Sequence, residues 1–133
     1  NFCRPGYESR HNLKYWNCEE YLGIGPAAHS FLNGRRFYYP RDLKAFIGGN
    51  EPVYDCTGGD GEEYIMLRLR LREGLLFKDY KTRFKAEVPK GLIKAAMPLE
   101  KAGLLKISDK ALSLTDRGMI VSNSIITELL ENF

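Results

Sequence analysis

This 133-residue sequence lacks the features that mark several common protein classes. It has only three cysteines, Cys3, Cys18 and Cys56. Their wide spacing predicts neither a disulfide framework nor, from this chain alone, a cysteine-ligated zinc or iron–sulfur site. No apolar run approaches the roughly 18 residues that a membrane span requires, and no signal peptide is visible. These absences favour a globular protein of a reducing compartment, which we expect to be cytoplasmic.

The sequence also lacks an initiator methionine and a large net charge. It begins Asn1-Phe2-Cys3, which we interpret as the start of an excised piece of a longer protein. A hydrophobic fraction of 44% is sufficient to build a core. The net charge of +3 is too small to argue for nucleic-acid binding, and the basic surplus falls within residues 62–133.

The first half of the chain predicts short strands and one short helix. Residues 21–24 are an apolar run that predicts a buried strand ending in a glycine turn. Residues 35–39 predict a second strand, which Pro40 closes. Asp42 is a typical N-cap for a helix over 43–47, and Gly48 is a typical C-cap.

A glycine-rich stretch separates the two halves. Residues 48–61, with the sequence GGNEPVYDCTGGDG, contain five glycines and a proline. That composition is typical of a linker. We therefore predict a first domain over residues 1–50, a linker over 51–61 and a second domain over 62–133.

The second half predicts helices and one hairpin. Glu62 and Glu63 suit a helix start, and the apolar stripe Tyr64, Leu67, Leu71 and Leu75 has helical spacing. The order helix–helix–helix–hairpin–helix is typical of a winged-helix domain. The predicted elements are a helix from Glu62 to Gly74, a helix over 78–86, a helix from Pro89 to Gly103, a hairpin of 104–107 with 111–114, and a final helix capped by Thr115.

The segment HNLKYW, from His11 to Trp16, offers candidate ligand chemistry. It holds an imidazole, an amide, a phenol and the one tryptophan of the chain. A neutral imidazole is a common metal ligand and an axial ligand of haem iron. Tyr15 and Trp16 would then stack on a porphyrin face, and Asn12 would orient the imidazole. The alternative is a polar loop histidine packed by aromatic neighbours, which the pattern by itself favours.

The two glycines of the segment Gly23-Ile24-Gly25 have no side chains to shield the backbone. A strand followed by Gly-x-Gly lets a cofactor approach the main chain closely, but the third glycine of the dinucleotide-binding fingerprint is missing. The alternative is a tight exit from a strand. His29, which follows Ala28, either faces the same cofactor or is a half-buried histidine with satisfied partners, and the second interpretation is favoured.

Six basic residues make nucleic-acid binding an alternative function. In a winged-helix domain these residues would place a basic recognition helix against DNA. The other interpretation is a solvated helix face, which the small net charge favours. Neither histidine accompanies a nucleophile motif, so no hydrolase triad is predicted. The six residues are Lys78, Lys81, Arg83, Lys85, Lys90 and Lys94.

Three segments resemble one protein family. FCRPGYESRHNLKYWNCEEYLGIGPAAHSF resembles the C-terminal edge of the radical-SAM core in the oxygen-independent coproporphyrinogen III oxidase family, and EEYIMLRLRLREGL and LSLTDRGMIVSNSIITELL resemble its helical C-terminal domain. The family contains true oxidases, which decarboxylate coproporphyrinogen III by radical chemistry. It also contains a haem-chaperone branch whose HNxxYW motif is proposed to bind haem. The motif is complete in this chain, which favours the chaperone branch.

The resemblance implies a fold and a set of cofactor-binding residues. Residues 1–50 would be the incomplete edge of a radical-SAM barrel, and residues 62–133 a winged-helix-like cap, within an α+β chain. His11 would be the ligand of the haem iron. The other cofactor-binding candidates are Asn12, Tyr15 and Trp16 of the motif, Leu13 and Lys14 near a second S-adenosylmethionine, and Gly23, Gly25, Ala28 and His29 in the segment that closes over the cofactor region.

The resemblance also implies a function. The parent would be a radical-SAM protein of haem and porphyrin metabolism with S-adenosylmethionine and a 4Fe–4S cluster. The cluster motif CxxxCxxC is absent from this chain, so we expect no catalysis by the chain alone. The expected partner is haem or a porphyrin, without nucleic acid or a membrane span, and a homo-oligomer is an open possibility. Three alternatives stay open: a true coproporphyrinogen III oxidase that yields protoporphyrinogen IX, a DNA-binding winged helix, and a structural cap in which HNxxYW only packs.

Overall fold

The chain folds as two units, Asn1–Gly59 and Asp60–Phe133. A computed structural model describes residues 3–4 and 6–133. Each unit combines helices with a three-stranded antiparallel sheet, so the predicted α+β class is confirmed. Every helix within those described residues is too short or too polar to cross a bilayer.

The first unit has two helices and a sheet with the strand order β1-β2-β3. Helix α1 begins after Ser9, whose side chain accepts a hydrogen bond from the backbone N–H of Asn12. Helix α2 has the predicted caps, because Asp42 accepts from the backbone of Ala45 and Gly48 ends the helix. The elements are α1 Arg10–Trp16, β1 His29–Leu32, β2 Arg35–Tyr38, α2 Leu43–Ile47 and β3 Val53–Thr57.

A two-residue turn joins β1 to β2. Asn33 and Gly34 both have left-handed backbone angles, with φ of 51° and 70°, and this geometry matches the twist of antiparallel strands. The strand predicted over 35–39 is confirmed as β2. Phe31 on β1 is buried, and the guanidinium of Arg36 lies 4.5 Å from the centre of its ring, so this hairpin forms the centre of the first unit.

The prediction of a buried strand over residues 21–24 is wrong beyond its first residue. Tyr21 pairs with Phe31 through two backbone hydrogen bonds of 2.8 and 2.9 Å. Leu22 and Ile24 are then 61% and 85% exposed. The chain turns away because the N–H of Gly23 donates to the Ser30 hydroxyl instead of a neighbouring strand.

The prediction of a linker over residues 51–61 is wrong for Val53–Thr57. These five residues form β3 and pair antiparallel with β2. The glycines on either side therefore bracket a strand, whose backbone groups find partners in the sheet. The boundary between the units follows Gly59. The assignment of residues 1–50 to the edge of a barrel stays a prediction.

The second unit has the predicted winged-helix order, with one additional short strand. Its antiparallel sheet has the order β4-β6-β5, and the predicted hairpin is confirmed as β5 and β6. The elements are α3 Gly61–Arg68, β4 Leu75–Leu76, α4 Phe77–Phe84, α5 Lys90–Lys101, β5 Leu105–Ile107, β6 Ala111–Leu114, α6 Asp116–Ile120 and α7 Ser122–Leu130. Fully buried aliphatic side chains from the helices and all three strands build its core, among them Ile65, Leu69, Leu75, Leu92, Leu105, Leu112 and Leu129.

Helix α3 ends at Arg68, so the prediction that it continues to Gly74 is wrong. The Arg68 side chain is buried, donates from Nε to the Gly74 carbonyl over 3.2 Å and pairs with Glu73 at 2.5 Å. These bonds hold the chain in a turn. A Cβ on Gly74 would lie 2.3 Å from the Leu112 carbonyl oxygen. The close approach to β6 makes Leu75 a strand residue instead of a helical one.

The predicted final helix is two helices. Thr115 caps α6 as predicted, since its hydroxyl accepts from the N–H of Gly118 at 3.1 Å. The helix then breaks at Val121, where φ is −112° and ψ is 25°. Gly118 has no room for a side chain, because a Cβ there would lie 1.9 Å from the Leu104 carbonyl oxygen. Helix α6 thus packs closely on the residue that precedes β5.

An aromatic cluster lies at the start of the second unit. The rings of Tyr64, Tyr80 and Phe84 lie 4.8 to 6.3 Å apart. Burial raises the pKa of the Tyr80 phenol, and the negative charge of Asp60 adds to the effect. The cluster therefore fixes a neutral phenol beside the first turn of α3.

Candidate functional site

Helix α1 places the four residues of the HNxxYW motif in two adjacent pairs. Residues four apart lie on the same face of a helix, so His11 stands beside Tyr15, and Asn12 beside Trp16. The Tyr15 hydroxyl lies 3.1 Å from Nε2 of His11. The two rings meet edge to face, with centres 5.0 Å apart at 89°. The sequence thus fixes an exposed imidazole against a phenol.

Asn12 makes no hydrogen bond to the imidazole within the described residues, and its orienting role stays a prediction. It is the residue next to His11, so the helix turns its side chain about 100° away. The imidazole shares its hydrogen bond with the hydroxyl of Tyr15 instead. Along the same helix, Leu13 and Trp16 are half-buried, whereas Lys14 is exposed.

Tyr21 connects the motif to the sheet of the first unit, and sequence reasoning missed this role. Its ring meets the ring of Tyr15 edge to face, with centres 4.5 Å apart. Its backbone pairs with Phe31 on β1. These aromatic contacts thus link α1, which has no fully buried residue of its own, to the sheet of the unit. An aromatic residue six positions after Tyr15 was the available signal.

The loop over residues 23–29 packs on itself at Gly23. A Cβ on Gly23 would lie 2.2 Å from the His29 carbonyl oxygen, so a side chain there has no room. Gly25 has φ of 115°, and nothing lies within 4 Å of the place where its Cβ would be. Ala28 donates to the Gly25 carbonyl at 3.1 Å and accepts from Tyr39 at 3.1 Å. The glycine at position 23 therefore serves a close approach of the backbone to itself, whereas Gly25 leaves open space.

His29 stands apart from His11. Its exposed ring stacks on Tyr38 across the β1–β2 pair, with centres 5.1 Å apart at 25°. Throughout residues 3–4 and 6–133, neither a hydrogen bond nor a ring contact joins the two histidines. The loop from Gly23 to His29 and the α1 motif are linked through Tyr21. The structure thus brings the predicted residues into two neighbouring groups.

Exposed apolar side chains follow Tyr21 directly. Leu22 and Ile24 are more than half exposed, although their sequence predicts a buried strand. Exposed apolar residues beside a polar group are typical of a surface that binds a ligand or partner. These two residues are therefore further candidates for the site, on the segment that follows Tyr21.

The side chains that could bind a metal are dispersed in the described part of the chain. Within residues 3–4 and 6–133, no group of three or more His, Cys, Asp or Glu side chains is placed to hold a metal ion. Cys3 and Cys56 are exposed free thiols, and Cys18 is a buried one. A haem, by contrast, takes its equatorial ligands from the porphyrin and needs an axial donor such as an imidazole.

The basic residues of the second unit do not form a uniform basic face. Lys81 is paired with Glu87. The guanidinium of Arg83 lies 5.2 Å from the ring centre of Tyr64. Ion pairing and ring contacts therefore engage part of the set that the DNA-binding alternative requires.

Comparison with known proteins gives one consistent family. Residues 60–121 match the family model described as the HemN C-terminal domain. The chain is 31% identical to the heme chaperone HemW of Lactococcus lactis, over 98% of this chain and 36% of that protein. It is also 31% identical to the heme chaperone HemW of Mycobacterium tuberculosis, over 98% of this chain and 33% of that protein. The chain therefore spans about a third of the length of these curated relatives.

A solved structure shares the fold. It is that of coproporphyrinogen III oxidase (HemN) from Escherichia coli, a radical SAM enzyme. The TM-score is 0.60 over 84% of this chain and 28% of that chain, at 17% identity. At this identity the likeness is one of fold.

Two units, each with an antiparallel sheet, and a helix that carries the HNxxYW motif make up a chain similar to HemN and HemW proteins. The matches extend over nearly the whole sequence. The resemblance to the oxygen-independent coproporphyrinogen III oxidase-like family seen in the sequence is confirmed. Its relatives at about 30% identity carry the name heme chaperone.

Proposed function

We propose that this chain is the haem-binding part of a haem chaperone and that His11 is the ligand of the haem iron. The observation that carries the proposal is the exposed imidazole of His11, whose Nε2 lies 3.1 Å from the hydroxyl of Tyr15. An imidazole is a standard axial ligand of haem. A ligand on an exposed helix suits a carrier, because a carrier has to pass its cargo to another protein.

The surroundings of His11 fit a porphyrin. The half-buried rings of Tyr15 and Trp16 supply flat apolar surface, and exposed Leu22 and Ile24 lie in the segment that follows Tyr21. Burying such side chains against a macrocycle removes apolar area from water, at about 25 cal/mol per Å². A haem iron that takes Nε2 replaces the hydroxyl of Tyr15, so the protein exchanges a weak hydrogen bond for a coordinate bond.

The binding of the family's other cofactors is proposed for the whole protein. S-adenosylmethionine and a 4Fe–4S cluster would belong to sequence that this chain does not contain. Leu13 and Lys14 near a second S-adenosylmethionine, and Gly23, Gly25, Ala28 and His29 in a cofactor-covering segment, stay predictions. The open space beside Gly25 supports the second of these assignments, and the self-packing at Gly23 supports a structural role for that glycine.

A titration of the chain with ferric haem tests the proposal. The Soret absorbance would be followed for the natural sequence, for His11→Ala and for His29→Ala, which removes the other imidazole of the chain. We expect saturable binding by the natural sequence and by His29→Ala, and loss of that binding in His11→Ala. Equal binding by all three proteins would contradict the role of His11. Loss in His29→Ala alone would move the ligand to β1.

A further inference from the structure

We propose that Arg10 and Lys14 bind the propionate groups of the haem whose iron His11 holds. The inference rests on the proposed function, since it names the groups that recognise the carboxylates of the same cargo. Its basis is the charge pattern of α1, the partners of the nearby carboxylates and the position of both side chains on the helix.

The first charge on α1 is placed against the electrostatics of a helix. Arg10 is its first residue, and its first turn has no acidic side chain. A cation at this end opposes the helix dipole. Lys14 lies four residues further on, in the last turn, where the helix dipole favours a cation but the like charge of Arg10 opposes it. Residues that break local rules in this way are typical of functional sites.

No carboxylate of the described chain compensates these two cations. Arg10 and Lys14 are exposed and make no ion pair within residues 3–4 and 6–133. Glu8 accepts from the N–H of Gly6 at 2.9 Å, and backbone hydrogen bonds from Glu8 itself and from Gly6 lower the pKa of its carboxyl. Glu19 accepts from the amide of Asn17 at 3.2 Å. An external anion is therefore the missing partner.

The two cations border the pair formed by His11 and Tyr15. Successive residues of a helix are rotated by about 100° around its axis, so Arg10 and Lys14 lie one above the other on one side of α1. His11 and Tyr15 form the adjacent row. Residues four apart have Cβ atoms about 5–6 Å apart, so the row of Arg10 and Lys14 presents two neighbouring positive charges. Haem carries its two propionates on one edge of the macrocycle. Arginine and lysine bind carboxylates through charge-assisted hydrogen bonds.

Two probes separate carboxylate recognition from iron ligation. They are ferric protoporphyrin IX and its dimethyl ester, which keeps the iron and the ring but has no carboxylate charge. Each is titrated into the natural sequence and into the double variant Arg10→Gln/Lys14→Gln. The matched control is Arg41→Gln/Lys44→Gln, which removes the same charge from exposed residues of the same unit. Circular dichroism checks that α1 and the sheets are retained.

The expected result is a selective loss. Exposed ion pairs are individually weak, so we expect the double variant to bind the free acid about three- to tenfold more weakly. Its affinity for the dimethyl ester should equal that of the natural sequence, and the control should bind both probes normally. Raised salt should weaken binding of the free acid more than that of the ester.

The contrary results are distinct. An equal loss for both probes, no loss for the free acid, or the same loss in the control variant overturns the inference and leaves the proposed function in place. The absence of saturable haem binding by the natural sequence, or binding that does not depend on His11, overturns the proposed function and this inference with it.

Discussion

If His11 ligates haem iron as proposed, the hydroxyl of Tyr15 competes with the iron for the imidazole, and Tyr15→Phe isolates this competition. The hydrogen bond between them is 3.1 Å long and exposed. A hydrogen bond of this kind contributes about 0.5–1.5 kcal/mol, which corresponds to a factor of about 2–10 in an equilibrium constant. Phenylalanine keeps the ring and its edge contact with Tyr21. We therefore expect Tyr15→Phe to bind haem about two- to tenfold more tightly.

The assay is a haem titration at several concentrations of the variant, with dissociation followed by transfer to an excess of apomyoglobin. Slower dissociation from Tyr15→Phe would agree with competition. Tyr21→Phe is the control, since it removes a phenol hydroxyl that makes no contact with His11. Weaker haem binding by Tyr15→Phe would refute the reasoning, because it would mean that the hydroxyl holds the imidazole for iron instead of opposing it.

Three further predictions concern stability. Gly23→Ala should lower the free energy of unfolding by about 1–3 kcal/mol, because its Cβ would lie 2.2 Å from a carbonyl oxygen. An unchanged denaturant midpoint would contradict the packing described for the loop. Arg68→Gln should lower the free energy of unfolding by about 1–3 kcal/mol, because it removes the hydrogen-bond donor of a buried carbonyl. Arg72→Gln breaks only an exposed ion pair and should lower the free energy of unfolding by less than about 1 kcal/mol. Equal losses of stability in the same denaturation assay would refute the distinction. Burial raises the pKa of Tyr80 above its ordinary value of 10.0, so its stabilising effect is complete below that pH and is lost as pH rises through the raised pKa. Tyr80→Phe should flatten the fall of stability in alkaline denaturation curves, and an identical fall in both proteins would exclude this group as its source.

Elements with a local chemical signal were predictable from the sequence. Helix α2 carries its own caps, Asp42 and Gly48, and it has the predicted bounds. The hairpin of the second unit was predictable because two apolar runs flank the polar residues 108–110. Thr115 was recognisable as a cap because it precedes the acidic residue of a first turn. In each case a few neighbouring residues decide the structure.

Elements that depend on distant contacts were not predictable. Helix α3 ends at Arg68 because the side chain of this residue donates a hydrogen bond to the Gly74 carbonyl. The hydrophobic periodicity of the sequence gives no sign of that bond. Strand β3 lies between glycines and has only exposed side chains, so its sequence has the composition of a linker. Its pairing with β2 decides its structure. The Asn33-Gly34 turn, in contrast, is a strong hairpin signal that was available in the sequence.

The candidate site shows the same division. The spacing of His11 and Tyr15 on a helix is local, so the pair could be inferred from the sequence. The position of Tyr21 against Tyr15 depends on the fold of residues 17–31, and the exposure of Ile24 depends on the turn at Gly23. The role of His11 in haem binding came from the resemblance to a family, and it stays a prediction.

The central claim is that an imidazole on α1 ligates haem iron, and resonance Raman spectroscopy of the ferrous haem-loaded chain tests it most directly. An iron–imidazole stretching band should be present in the natural sequence and in His29→Ala, and absent from His11→Ala. A band that persists in His11→Ala with unchanged intensity would contradict the account.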